Sequence, residues 1–175
     1  DKTMSFQITD IVLYSHIGEK IALSIHPGEL NIITGESKTG KSALIDIIDF
    51  CLGRKSCRIP AGPIRNKVQW VGIRLQLIEG QVFIARKLPV PSSRHSSTIY
   101  YDVQTKIEIP DHNELKGTIN LSALRALLSK HIQITENIKE STHKKLKADI
   151  RHSTNFVFQK QIELFDNRIL FHRFD

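Results

Sequence analysis

The residues Gly35-Glu36-Ser37-Lys38-Thr39-Gly40-Lys41-Ser42 match the phosphate-loop pattern G-x-x-x-x-G-K-[ST] at every defined position. The flanks constrain the fold as much as the motif does. Leu30 to Thr34 reads as a short buried strand, and Ala43 to Leu52 as a helix that is apolar almost all round. A strand, a loop with glycines at both ends and a helix aim backbone N–H groups and the helix dipole at an anion. In that arrangement Lys41 reaches the β- and γ-phosphates of a nucleotide, and the Ser42 hydroxyl ligates Mg²⁺. The nucleotide-binding set is therefore Gly35, Glu36, Ser37, Lys38, Thr39, Gly40, Lys41, Ser42 and Ala43. The fold class it implies is α/β.

The 175 residues, 40% of them hydrophobic, suffice for one domain with a real core. No apolar run approaches the roughly 20 residues of a membrane-spanning helix. The first residues lack the layout of a signal peptide, and Met4 is a candidate natural start. Cys51 and Cys57 make no disulfide framework, so reduced thiols and a cytoplasmic location are expected. The formal net charge is +7, with cations gathered at Arg54, Lys55 and Arg58, at Arg65 and Lys67, and from Lys139 to Lys147. Such clusters suit phosphate or nucleic acid. A solvated basic face with no partner has the same composition, and no aromatic residues interleave with the charges.

Phe6 to Tyr14 and Lys20 to Ile25 read as strands, and His26 to Glu29 as a turn into the strand before the loop. Gly53 reads as the stop of the helix. Asp46 and Asp49 lie three apart on one helix face, most simply as a solvated stripe. After Pro60-Ala61-Gly62-Pro63, two β-rich runs at 69–78 and 81–88 join at Glu79-Gly80 as a hairpin, with Val71, Ile73, Leu75 and Leu77 on its buried face. Ile99 to Val103 and Lys106 to Ile109 read as a further short β pair. Asn120 caps a helix to about Ile132, with Leu121, Leu124, Leu127 and Leu128 in one stripe. Lys139 to Arg151 is basic and weakly periodic, within a helical region spanning about 120–152.

This order of elements resembles the N-terminal half of an ABC-type ATPase head of the SMC and DNA-break-repair class: an antiparallel pair, strand, phosphate loop, helix, then a β arm at about 68–109. Within that class the phrases Gly35 to Cys51, Ile59-Pro60-Ala61-Gly62 and Phe158-Gln159-Lys160-Gln161 are similar to a little-characterised prokaryotic family of ABC-type ATPases from three-component, defence-associated operons. The resemblance implies ATP and Mg²⁺ as cofactors. It implies a Q-loop at about 158–163 whose Gln159 touches the metal and γ-phosphate. It also implies a head completed by a C-terminal half or a second protomer, and DNA and operon subunits as partners. Lys41 and Gln159 are then the catalytic candidates, and Ser42 and Gln159 the metal ligands.

Two features depart from that pattern. Lys38 stands where SMC-type loops carry Gly, and Ser37 where they carry Asn. No Leu-Ser-Gly-Gly signature and no strand ending in Asp-Glu is present, so the chain is expected to be an N-terminal lobe, inactive in turnover alone. The rival from another class is a nucleotide-sensing module that recruits a partner without hydrolysis. A GTPase is disfavoured because Asn66-Lys67-Val68-Gln69 lacks the aspartate that reads guanine; a kinase needs a lid and acceptor pocket that the sequence neither shows nor excludes. Arg54, Arg58 and Arg65 are further candidates for the γ-phosphate, each read more simply as a surface cation.

Overall fold

The computed structural model describes residues 6–24, 32–33, 38–59, 62–130 and 155–156, with backbone alone at 6, 32–33, 38–42, 63–64, 130 and 155–156. Strands β1 (Phe6–Ser15) and β2 (Lys20–Ser24) form the expected opening hairpin. Strand β3 (Ile32–Ile33) leads to helix α1 (Lys38–Cys51), followed by the short α2 (Pro63–Lys67). Proline at the first helical position explains α2, which the break at 60–63 concealed: its fixed φ suits that place and its missing N–H costs nothing there. Strands β4 (Val68–Leu77), β5 (Gln81–Lys87) and β6 (Ile99–Gln104), a single 3-10 turn (His112–Glu114), helix α3 (Leu121–Lys130) and strand β7 (Asn155–Phe156) complete the described elements.

The strand order β2-β1-β4-β5-β6 makes one antiparallel sheet. The arm expected after the first helix is thus continuous with the opening hairpin, because β1 pairs with β4 along nearly its whole length. The loose alternation of β1 has a physical cause. Ile8 opposes Leu75 and Asp10 opposes Arg74, so Thr9 is the extra residue of a β-bulge. The bulge resets the side-chain phase and lets Ile8, Ile11 and Leu13 share one face while Val12 and Tyr14 take the other. At Gly72 the Phe83 ring of the neighbouring strand lies over the backbone, so that a Cβ there would stand 2.8 Å from it.

Residues 106–109 are not a strand. The chain from 105 to 119 instead crosses the second face of the sheet as a strap, with Ile107 buried against Val12, Tyr14, Trp70, Phe83 and Ala85. Its apolar alternation serves packing, and its backbone is satisfied by side chains: Arg74 Nη1 donates to Ile107 O at 2.8 Å, and Ile107 N donates to Gln81 Oε1 at 2.7 Å. The opposite face meets α1 through Leu44, Ile47, Ile48 and Phe50, and α3 through Leu124 and Leu128. Asn120 caps α3 as expected, its Oδ1 accepting from Ala123 N at 2.7 Å.

Candidate nucleotide site and the helix that carries it

Helix α1 begins at Lys38, so five motif residues, Lys38, Thr39, Gly40, Lys41 and Ser42, have helical backbone. The expectation of a loop through Ser42 is corrected to this extent. The physical reason lies at Lys38: lysine is a good helix former where glycine would hold the chain open, so the helix extends by more than a turn towards the loop. No acidic residue stands in the first turn of α1. That start therefore keeps its favourable dipole for an anion. Ala43, last of the expected binding set, is buried against the core.

Gly35, Glu36 and Ser37 lie outside the described residues, as do Gln159 and the side chains of Lys38, Thr39, Lys41 and Ser42. One backbone link joins the two regions. Ile32 pairs with Phe156 and Ile33 with Asn155, which puts the chain leading to Gln159 in the same ladder as the strand before the motif. The ladder is antiparallel, so the chain leaves Phe156 in the direction opposite to that in which Ile33 runs towards the loop. Among the described residues no cluster of His, Cys, Asp or Glu could hold a metal ion, and no helix is long and apolar enough to cross a membrane.

The far end of α1 is held in detail. Gly53, at φ 101°, terminates the helix: Gly53 N donates to Phe50 O and Arg54 N to Asp49 O, both at 3.2 Å, the two bonds of a Schellman stop. Arg54 turns back onto its own helix, 3.4 Å from Asp49 and 3.9 Å from Asp46. These aspartates are thus half-buried ion-pair partners rather than a solvated stripe. Arg65 donates to Cys57 Sγ at 3.0 Å and to the carbonyls of Pro89 and Ser93 at 3.4 Å, whereas Arg58 is exposed. Arg54 and Arg65 are accordingly structural.

Sequence reading missed Arg86, the largest fully buried side chain among the described residues. Its guanidinium lies 3.7 Å above the Phe50 ring centroid. It donates to Phe50 O at 2.7 Å, to Arg54 O and to Ser96 O at 3.0 Å; its Nε has no acceptor among the described residues. Burial lowers its pKa to about 10, still far above neutrality, so a cation caps the negative end of the α1 dipole. Arg125 of α3 adds a bond from Nε to Gly53 O at 2.9 Å. The signal was present in the strand period: Arg86 follows Val82 and Ile84 at spacings of two, on the face that packs α1. Burial also pushes the Cys51 thiol up to about 12, so it stays protonated and inert at neutral pH. Both cysteines are free and buried.

No protein-family model matches the sequence. The chain is 26% identical over 146 residues to the DNA repair protein RecN of Aquifex aeolicus (strain VF5), an alignment covering 78% of this chain and 25% of that protein. The matching part of the chain thus spans about a quarter of the relative's length. The similarity supports the broad SMC and ABC-type ATPase class that the order of elements resembles, and the α/β layout with its antiparallel sheet is compatible with such a head.

Proposed function

We propose that the chain is the nucleotide-binding lobe of an ATP-hydrolysing, SMC-like head that works on DNA, in the setting of prokaryotic defence. The observation carrying this reading is the complete phosphate-loop motif ending inside α1, whose first turn has no acidic residue. The similarity to a DNA repair protein agrees with it. In this reading the backbone of Gly35 to Ser42 cradles the phosphates, Lys41 neutralises charge on the γ-phosphate, and Ser42 with Gln159 holds Mg²⁺. The metal supplies charge stabilisation at the transferring phosphoryl group. The general base and signature residues come from a C-terminal half or second protomer, with operon subunits as further partners. The anchored end of α1 supports a positional mechanism, because the helix carrying Lys41 is fixed to the sheet by Arg86 and to α3 by Arg125.

The test is Mg²⁺-ATP binding by calorimetry together with multiple-turnover hydrolysis, in parent and Lys41→Ala. Saturable binding abolished by Lys41→Ala, without turnover by the parent, is the expected result. Binding indifferent to Lys41→Ala would sink the nucleotide reading. Steady Lys41-dependent turnover would place the water-activating residue within these 175 positions and remove the need for a second half. Turnover still absent when a C-terminal half is supplied would leave a nucleotide sensor.

A further inference from the structure

We propose that two interlaced loops at the C-terminal end of α1 form a docking surface for the phosphate backbone of duplex DNA. The inference rests on the DNA association proposed above and names the surface that carries it. Segments 54–59 and 93–98 run antiparallel: Ser56 and His95 form a β-bridge, Cys57 N donates to Arg94 O at 2.8 Å, and His95 Nδ1 lies 3.4 Å from Lys55 O. The lacing brings Lys55, Arg58, Arg94 and His95, all exposed, onto two adjoining stretches of backbone.

Their shape is set from beneath. Arg65 binds Cys57 Sγ and the carbonyls of Pro89 and Ser93, while Arg86 binds the carbonyls of Arg54 and Ser96. Two cations are thus spent on organising the loops, and others stay at the surface. The sequence contains no Asp or Glu from 53 to 78 or from 80 to 101, so these loops have no carboxylate of their own to neutralise them. The carboxylates at this end of α1, Asp46 and Asp49, face Arg54. A preorganised, acid-free, cationic edge attracts a polyanion through release of its counterions. Neither loop carries Phe, Tyr or Trp, and the one ring, His95, is turned to the Lys55 carbonyl through Nδ1, so base stacking, the usual hold on single strands, has a poor platform here; a duplex backbone is the better fit. At roughly 1.5 Å per residue, α1 holds this edge about 20 Å from the motif end of the helix, so both phosphate ligands can be bound at once.

Anisotropy of a short fluorescein-labelled duplex of arbitrary sequence, titrated with the full chain over a range of KCl, tests the surface. Arg58→Ala/Arg94→Ala is compared with Lys106→Ala/Lys116→Ala, which removes the same charge from exposed positions of the strap. Mg²⁺-ATP binding is followed on the same samples. The parent should bind with a steep salt dependence. The loop variant should lose at least tenfold in affinity at low salt and flatten the log–log salt slope by about 0.9 for each phosphate contact removed, while the strap variant stays close to parent. Equal weakening by both variants would overturn the surface and leave DNA association standing. A parent that binds Mg²⁺-ATP but no duplex at low salt would overturn the surface while the nucleotide reading survives. Both variants alter exposed side chains, so unchanged thermal melts serve as the folding check.

Discussion

On its helix side the five-stranded sheet meets Leu44, Ile47, Phe50, Leu124 and Leu128 with Val71, Ile73, Leu75, Val82 and Ile84, an interface of aliphatic and aromatic contact in which Arg86 is the one fully buried ion among the described residues. On its strap side a smaller apolar set is ringed by directed bonds. Arg74, itself paired with Asp10, holds the Ile107 carbonyl, and Tyr14 with the Pro110 carbonyl, Gln81 with Ile107 N, His112 with Gln69 at 2.6 Å and Lys20 with Asp111 further tie the irregular segment down. A helix satisfies its own backbone and can adhere by area alone; a strap has no ladder, so side chains must meet its N–H and C=O groups. The helix side should therefore respond to volume, and the strap side to unpaired polar atoms.

The largest effect should come from splitting the ion pair on the strap side. Arg74 Nη2 and Nε lie 2.6 and 2.7 Å from Asp10 Oδ2, and Asp10 is 3% exposed. Arg74→Ala should cost about 3–5 kcal/mol, because it strands a buried carboxylate and frees the Ile107 carbonyl. Replacing both partners, Arg74→Leu with Asp10→Val, should recover much of that loss in urea unfolding. A double variant as unstable as the single one would mean that packing, not the unpaired charge, dominates this face too.

On the helix side no such rescue is expected. Leu44→Ala, at a fully buried position of α1, should cost about 3 kcal/mol through lost transfer energy and a cavity. Because α1 also carries the motif, the same variant should weaken Mg²⁺-ATP binding in proportion to the helix's loosened seat. Full stability in Leu44→Ala would remove the distinction between the two faces.

The sequence disclosed most of the regular elements and little of what joins them. The two hairpins, the Gly53 stop and the Asn120 cap each rest on local chemistry confined to a few residues, and each stands where that chemistry puts it. The start of α1 was misjudged because glycine-rich loop and helix compete locally, and Lys38 tips the balance. Residues 106–109 were misread because alternating apolar residues look alike whether they form a ladder or cover one. Arg86 escaped notice because an arginine in a strand suggests solvent, and only the tertiary arrangement supplies the ring and three carbonyls that hold it. Gln159, by contrast, was a candidate from family resemblance alone.

A smaller effect separates the faces by pH. Cys51 sits on the helix side with its thiol against the Val71 carbonyl, and burial raises its pKa from 9.0 to about 12. The folded form keeps the proton that the unfolded chain releases, so this contribution is intact below pH 9 and is lost as pH rises towards about 12. Between pH 10 and 11, where the unfolded thiol is almost fully ionised, that amounts to about 1.3 kcal/mol. Cys51→Ala should flatten the fall over this window in denaturant melts, whatever its effect at neutral pH. An unchanged slope would show that another group controls alkaline unfolding.

The smallest predicted effect isolates one strap bond. Tyr14 is fully buried, and its hydroxyl donates to Pro110 O at 2.7 Å across 96 residues of sequence. Tyr14→Phe keeps the ring among Trp70, Phe83 and Ile107 and removes only the donor, so the cost should be about 1 kcal/mol, most of it the carbonyl left without a partner. The location of the loss is more diagnostic than its size. Hydrogen exchange should quicken at strap amides bonded to side chains, Ile107 above all, while α1 amides exchange as in the parent. Exchange that rises equally in the strap and in α1 would mean that the two faces open as one unit, and the difference between them would then be one of composition without energetic independence.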